Sequence, residues 1–150
     1  MRALLQRVSS ASVNVGGETI ASIQHGLLIL LGIEEADDAS DIDWLCGKIS
    51  RLRIFEDEEG KMNRSIQDIN GEVIVVSQFT LHASTKKGNR PSFLKSAAPT
   101  ISEPLYQAFC LALETELGKS IGRGIFGAEM QVSLINSGPV TIWIDSRDRE

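Results

Sequence analysis

The first third of the chain alternates and then turns uniformly apolar. ALLQRVSSASVNV alternates apolar with polar residues through its second part, as a half-buried strand does, and Gly16-Gly17 has the two-residue spacing of a tight hairpin. ETIASI then returns, and GLLILLGI follows as a strand of the kind buried on both faces, so the opening segments predict a meander. From about Ser40 the period lengthens: Ile42, Leu45, Ile49 and Leu52 recur at helical spacing, and Ser40 with Asp43 has the form of a capping pair. RIFEDEEGKMNRSI predicts a strand, a Gly-containing turn and another short strand, and GEVIVVSQFTL a strong buried strand rich in β-branched residues. A second helix is expected from near Ser102, with Pro104 in its first turn and Leu105, Phe109, Ala112, Leu113 and Leu117 on its apolar face. GRGIFG, AEMQVSLIN and PVTIWID read as three short strands in a row.

No repeat, low-complexity tract or long linker divides this order, and 150 residues fit one domain over 1–150. Strands, helix, strands, helix, strands predict a single-domain α/β fold with mainly antiparallel sheets rather than a doubly wound one. The longest apolar run, Leu27 to Leu31, is far too short to span a bilayer, and MRALLQRVSS lacks the apolar stretch of a signal peptide. No membrane partner and a cytoplasmic location are therefore expected. Cys46 and Cys110 fall in the two predicted helices and read as buried, inert thiols.

Charge adds one local feature. The net charge of −5 argues against wholesale binding to nucleic acid, and no DNA partner is expected. Between Glu72 and Glu103, however, there is no acidic residue, and Lys86, Lys87, Arg90 and Lys95 lie inside that gap. The segment is either a solvated loop or a small basic surface on an acidic protein.

The catalytic inventory is short. There are two histidines, His25 in a turn and His82 past a strand end, and H-E-x-x-H, C-x-x-C and a P-loop are all missing. Neither a metal nor a nucleotide cofactor is indicated. SQFTL places hydroxyls and an amide at the end of an apolar strand, where alternation puts Ser77, Phe79 and Leu81 on one face and Gln78 and Thr80 on the other. Gln78 and Thr80 either face water or converge on a ligand. Near the C-terminus, Gly138-Pro139 interrupts an otherwise good strand, since Pro139 cannot donate to a ladder.

VSQFTL, NSGPVT, RIFEDEEGKMN and GNRPSF, in this spacing, closely resemble segments of the D-aminoacyl-tRNA deacylases, and the likeness runs from RALLQRV to VTIWID. The resemblance implies antiparallel sheets in a barrel-like core with two main helices, assembled as a homodimer with active sites at the subunit interface. It implies that Gly138-Pro139 is cis and is presented by one subunit to the other's pocket, where its backbone excludes the side chain of an L-aminoacyl group, and that a glycyl ester can enter. It implies hydrolysis of the ester without a protein nucleophile, by the terminal ribose 2′-hydroxyl and main-chain hydrogen bonds. Ser77, Gln78, Phe79 and Thr80 then form the pocket strand, with Gln78 and Thr80 near the ester and terminal adenosine. Lys86, Lys87 and Arg90 are placed to meet phosphates of the acceptor end, and Arg7 to brace the Gly138-Pro139 turn. Two other readings stay open: a conventional esterase or amidase with Thr80 or Ser77 as nucleophile, and a non-catalytic RNA-binding module using the basic loop and Phe93.

Overall fold

The structure, a computed structural model, describes residues 1–149. Its elements are β1 (Arg2–Val15), β2 (Glu18–Ile23), β3 (Gly26–Gly32), α1 (Ala39–Arg51), β4 (Phe55–Glu56), β5 (Met62–Arg64), β6 (Glu72–Ser77), α2 (Pro99–Leu117), β7 (Gly122–Arg123) and β8 (Gln131–Asp145), with a 3-10 turn at Phe79–His82. β1 is the organising strand. It pairs antiparallel with β8 over almost its whole length, with β3 through its first half and with β2 through its second. β6 adds parallel to β3 and β7 parallel to β6, and β2 lies back against β6 and β7, so the sheet nearly closes into a barrel.

Two cores result. Leu27, Ile29 and Leu31 of β3 and Val73 and Val75 of β6 face α1 and α2, where they meet Leu45, Ile49, Tyr106 and Phe109. The intervening Leu28, Ile74 and Val76 face the barrel interior with Val13 and Ile23. Burial on both faces explains why β3 and β6 read as continuous apolar runs. Tyr106 of α2 donates its hydroxyl to the Val75 carbonyl, 2.9 Å away, and so fastens α2 to the strand that leads into the site.

The boundaries correct four expectations. The cap of α1 lies two residues before the predicted one: Asp38 accepts from the Ser40 amide at 2.8 Å and Asp41 accepts from the Asp38 amide at 3.1 Å, a capping box that outcompetes Ser40 with Asp43. α2 begins at Pro99, whose missing N–H costs nothing at the first helical position, and Pro104 lies inside the helix rather than in its first turn. The strand expected over GEVIVVSQFTL ends at Ser77, after which the chain coils into the 3-10 turn. AEMQVSLIN and PVTIWID are halves of one strand, β8, with Gly138-Pro139 inside it.

The interruption is a bulge. Between the pairs Gln6–Thr141 and Val8–Asn136, β8 carries Ser137, Gly138, Pro139 and Val140 where β1 carries only Arg7. On one side of this break Ala3, Leu5, Ile142 and Ile144 pack into the helix-side core. On the other, Val8, Ala11, Val13, Val132 and Leu134 belong to the barrel core. A bulge changes which side chains point inward, and here it moves the β1–β8 ribbon from one core to the other.

Asp41, 5% exposed, closes the fold near the C-terminal end of β8. Burial opposes its charge, but hydrogen bonds from the Ser146 hydroxyl and the Asp38 amide, with the Met1 ammonium and the Arg147 guanidinium nearby, hold its carboxyl below the ordinary value. A carboxyl depressed in the native state stabilises the fold above its unfolded pKa and loses that contribution as pH falls through the native value. Urea midpoints should therefore fall on acidification below about pH 4. Asp41→Asn should be less stable at neutral pH and show a shallower acid decline, measurable by fluorescence-detected unfolding from pH 7 downward.

Candidate active site

The apolar run of β6 carries the chain to Ser77, and the next amide, Gln78 N, still bonds the Leu31 carbonyl at 2.7 Å. The backbone then leaves the sheet, so Gln78 and Thr80 are not brought together by strand alternation. The turn does it: Gln78 Nε2 donates to Thr80 Oγ1 at 2.6 Å. Phe79 projects outward, 57% exposed, and stacks edge-on against Phe93 with ring centroids 5.1 Å apart.

These residues stand at a cavity of about 630 Å³. Ser77, Gln78 and Phe79 form one wall, Phe93, Ser96 and Ala97 a second, and Phe126, Met130 and Val132 a third, with Leu31, Ile33 and Val76 also lining it. Thr80 does not line the cavity itself but is held to Gln78, which does. Most of the apolar wall gives no signal in the sequence. Ser96, Ala97, Phe126, Met130 and Val132 carry no reactive group, and only closure of the sheet brings residues 126–132 opposite residues 77–79.

No carboxylate or imidazole among the described residues bonds Thr80, whose oxygen accepts from an amide that cannot act as a base. His82 follows in the same turn but is 1% exposed, with neither ring nitrogen hydrogen-bonded among the described residues. Burial lowers its pKa and holds the ring neutral. His25 is exposed in its turn, with its ring edge-on to Phe55. Cys46 and Cys110 are buried free thiols, pushed by burial up to about 12 and about 11, which leaves them protonated and inert. The site therefore offers polar contacts and an apolar enclosure, and no base is bonded to a hydroxyl of it among the described residues.

Lys86, Lys87 and Arg90 are exposed on a loop closed by paired Ser84 and Ser92, next to Phe93 at the cavity, and none makes an ion pair among the described residues. Gly138 and Pro139 lie elsewhere. They are exposed, their bond is cis, and neither lines the cavity of its own chain. Arg7 beneath them is buried: Nε donates to the Ser137 carbonyl at 3.1 Å and Nη1 to the Ile54 carbonyl at 2.7 Å. Asn136 supports the bulge from its base, accepting from the Val140 amide at 2.9 Å and donating to Thr141 Oγ1 at 2.8 Å.

The family described as D-Tyr-tRNA(Tyr) deacylase matches residues 4–145, a span that holds both the SQFT turn and the Gly138-Pro139 bulge. The chain belongs to the D-Tyr-tRNA(Tyr) deacylase family. It is similar to the D-aminoacyl-tRNA deacylases of Flavobacterium johnsoniae, at 61% identity, and of Bacteroides thetaiotaomicron, at 60%, each over 150 residues and the full length of both chains. Among solved structures it is similar to that of a c-Myc DNA Unwinding Element Binding Protein, with a TM-score of 0.90 and 43% identity over 97% of this chain and 98% of that one. Within this family frame, SQFT and SGPV are separate surfaces of one chain.

Gly138 has φ +125, a backbone conformation that L side chains rarely adopt, and a Cβ there would meet Arg7 Nη2 at 2.8 Å and Val140 Cγ2 at 2.9 Å. Gly138→Ala should therefore lower the free energy of unfolding by about 1–3 kcal/mol through backbone strain and displacement of Arg7. Urea denaturation at one pH, with an unchanged m-value, checks this.

Proposed function

We propose that this chain, as one deacylase domain over residues 1–150, hydrolyses the ester bond of D-aminoacyl-tRNA, releases the D-amino acid and free tRNA, and rejects the L-aminoacyl form. One observation carries the reading: relatives about as long as this chain, 60–61% identical to it from end to end, bear the name D-aminoacyl-tRNA deacylase. The cavity supports it. Apolar walls take the flat face of an aromatic group such as the terminal adenine, while Gln78 and Thr80 offer an amide and a hydroxyl to the ester. With no base at Thr80, the ribose 2′-hydroxyl is the activating group and the protein positions it with main-chain and side-chain hydrogen bonds. No cofactor takes part in this scheme. Lys86, Lys87 and Arg90 meet acceptor-end phosphates, which adds affinity without reading sequence. A tRNA substrate implies a cytoplasmic site of action.

Chirality is read by backbone in this proposal. Gly138 and Pro139 of one subunit enter the cavity of a second copy, and their carbonyls, in a bulge braced by Arg7 at Ser137 and by Asn136 at Val140, collide with an L side chain and clear a D one. Glycine has no side chain to exclude, so glycyl-tRNA is also a substrate. Two features support the homodimer: Gly138 and Pro139 are exposed away from their own cavity, and Ile135 and Trp143 stand 62% and 48% exposed on the same strand. A two-fold interface satisfies both subunits at once. Sedimentation at micromolar concentration should give about twice the chain mass of 16.4 kDa.

The deciding assay uses matched D- and L-aminoacyl-tRNA. Release of the D-amino acid with the L form intact is expected, and equal rates on the two enantiomers would reject the reading. A D-aminoacyl substrate lacking the terminal 2′-hydroxyl should bind and hardly react, while Thr80→Ala should keep measurable turnover. Full cleavage of the deoxy substrate by wild type together with a dead Thr80→Ala would instead establish Thr80 as a nucleophile. A second reading, DNA binding by the basic loop, is raised by the 43%-identical relative, which bears the name of a DNA unwinding element binding protein. Salt-dependent binding to duplex DNA without ester turnover would favour it.

A further inference from the structure

The turn that carries Phe79 and Thr80 is gripped from two directions. Beneath it lies Gly32, the last residue of β3: a Cβ at that position would come within 2.9 Å of Leu81 Cβ, 3.0 Å of His82 Cδ2 and 3.1 Å of the Gln78 carbonyl. The turn therefore rests on bare backbone and cannot sink further. From the side, Ser96 Oγ donates to the Phe79 carbonyl at 2.8 Å. Ser96 is itself fixed, because its amide bonds the Phe93 carbonyl at 3.0 Å and it bridges to Glu34 at the end of the β3 segment.

A peptide unit is planar, so its C=O and the following N–H point in opposite directions from one rigid plate. Holding the Phe79 oxygen toward Ser96 turns the Thr80 amide the other way. We infer that Ser96 is a positioning residue: its hydroxyl sets the plane of the Phe79–Thr80 peptide, and through it the direction in which the Thr80 amide and hydroxyl and the Gln78 carboxamide meet the substrate. Gly32 supplies the floor that makes this plane the single resting position. Ser96 lines the cavity, and the role assigned to it passes through the turn by its bond to the Phe79 carbonyl. The inference rests on the deacylase reading, since it assigns Ser96 to that reaction.

A positioning role separates from a purely structural one in the kinetics. Ser96→Ala removes one hydrogen bond at a partly exposed site, so the fold should survive, with the thermal midpoint shifted by less than about 2 °C. Loss of the fixed plane should lower kcat on D-aminoacyl-tRNA about five- to tenfold with KM changed less than about twofold, because the substrate still binds the same walls. Ser96→Thr, which keeps the hydroxyl, should recover kcat to within about twofold of wild type. Wild-type kcat in Ser96→Ala, a loss confined to KM, or a Thr variant as impaired as the Ala variant would each overturn the inference. Failure of the wild type to cleave any D-aminoacyl-tRNA would instead overturn the functional reading. In that event amide NMR decides the geometric part: Ser96→Ala must shift the Thr80 amide resonance more than those outside residues 78–82 and 93–97, and an unmoved Thr80 amide refutes the assignment.

Discussion

The guanidinium of Arg7, buried in the break of the β1–β8 ribbon, is the contact on which the other features depend. A buried charge is tolerated when it is paired and hydrogen-bonded, and Arg7 donates Nε and Nη1 to the carbonyls of Ser137 and Ile54 while Nη2 lies 3.8 Å from Glu56 Oε1. Those carbonyls would otherwise be left unpaired in the bulge and at the end of the α1–β4 connection, at roughly 1–3 kcal/mol for each buried group. One side chain thus joins three things: the point where the ribbon passes from the helix-side core to the barrel core, the strand that follows α1, and the exposed Gly138-Pro139 segment. Lysine would be a poor replacement, because its three donors sit on one rotatable nitrogen, whereas Arg7 reaches the two carbonyls from two separate nitrogens of a rigid plane.

The cavity depends on a different constraint, the end of β6. Parallel pairing with β3 continues to the Gln78 amide and stops there, because β3 itself ends at Gly32 and the chain must fold down onto it. The 3-10 turn is the tight way to do so, and it converts a strand end into a ledge with Gln78 and Thr80 side by side. Tyr106 keeps the ledge in place from behind by fastening α2 to Val75. With the buried thiols protonated and His82 neutral and enclosed, what the described residues bring to the cavity is apolar wall together with the polar side chains of Ser77, Gln78 and Ser96.

Local sequence signals and structure agree where a segment's fate is decided by its own periodicity, and they part where neighbours decide. β3 and the apolar core of β6 are legible because burial on both faces leaves an unbroken run of Leu, Ile and Val. The start of α1 is misread by two residues because Asp38, Ser40, Asp41 and Asp43 all offer capping oxygens, and the choice falls to the pair whose geometry closes a box. Gln78 and Thr80 emerge as a pair from alternation although alternation is not what pairs them. Ser96 and Met130 give no signal at all, since a serine in a polar loop and a methionine in a strand approach look alike whether or not they line a cavity.

The chain by itself determined the class of fold, the burial of its cysteines, the poverty of its catalytic groups and the motifs that mark its family, because each is written in residue type and short-range spacing. Tertiary structure decided the rest. That Gly138-Pro139 is a bulge within one strand follows from β1 offering a single residue, Arg7, opposite four. That the cavity has a third wall follows from the sheet bringing residues 126–132 across from residues 77–79. Contacts between distant segments depend on register and closure, and neither is encoded by any window of sequence short enough to be read alone.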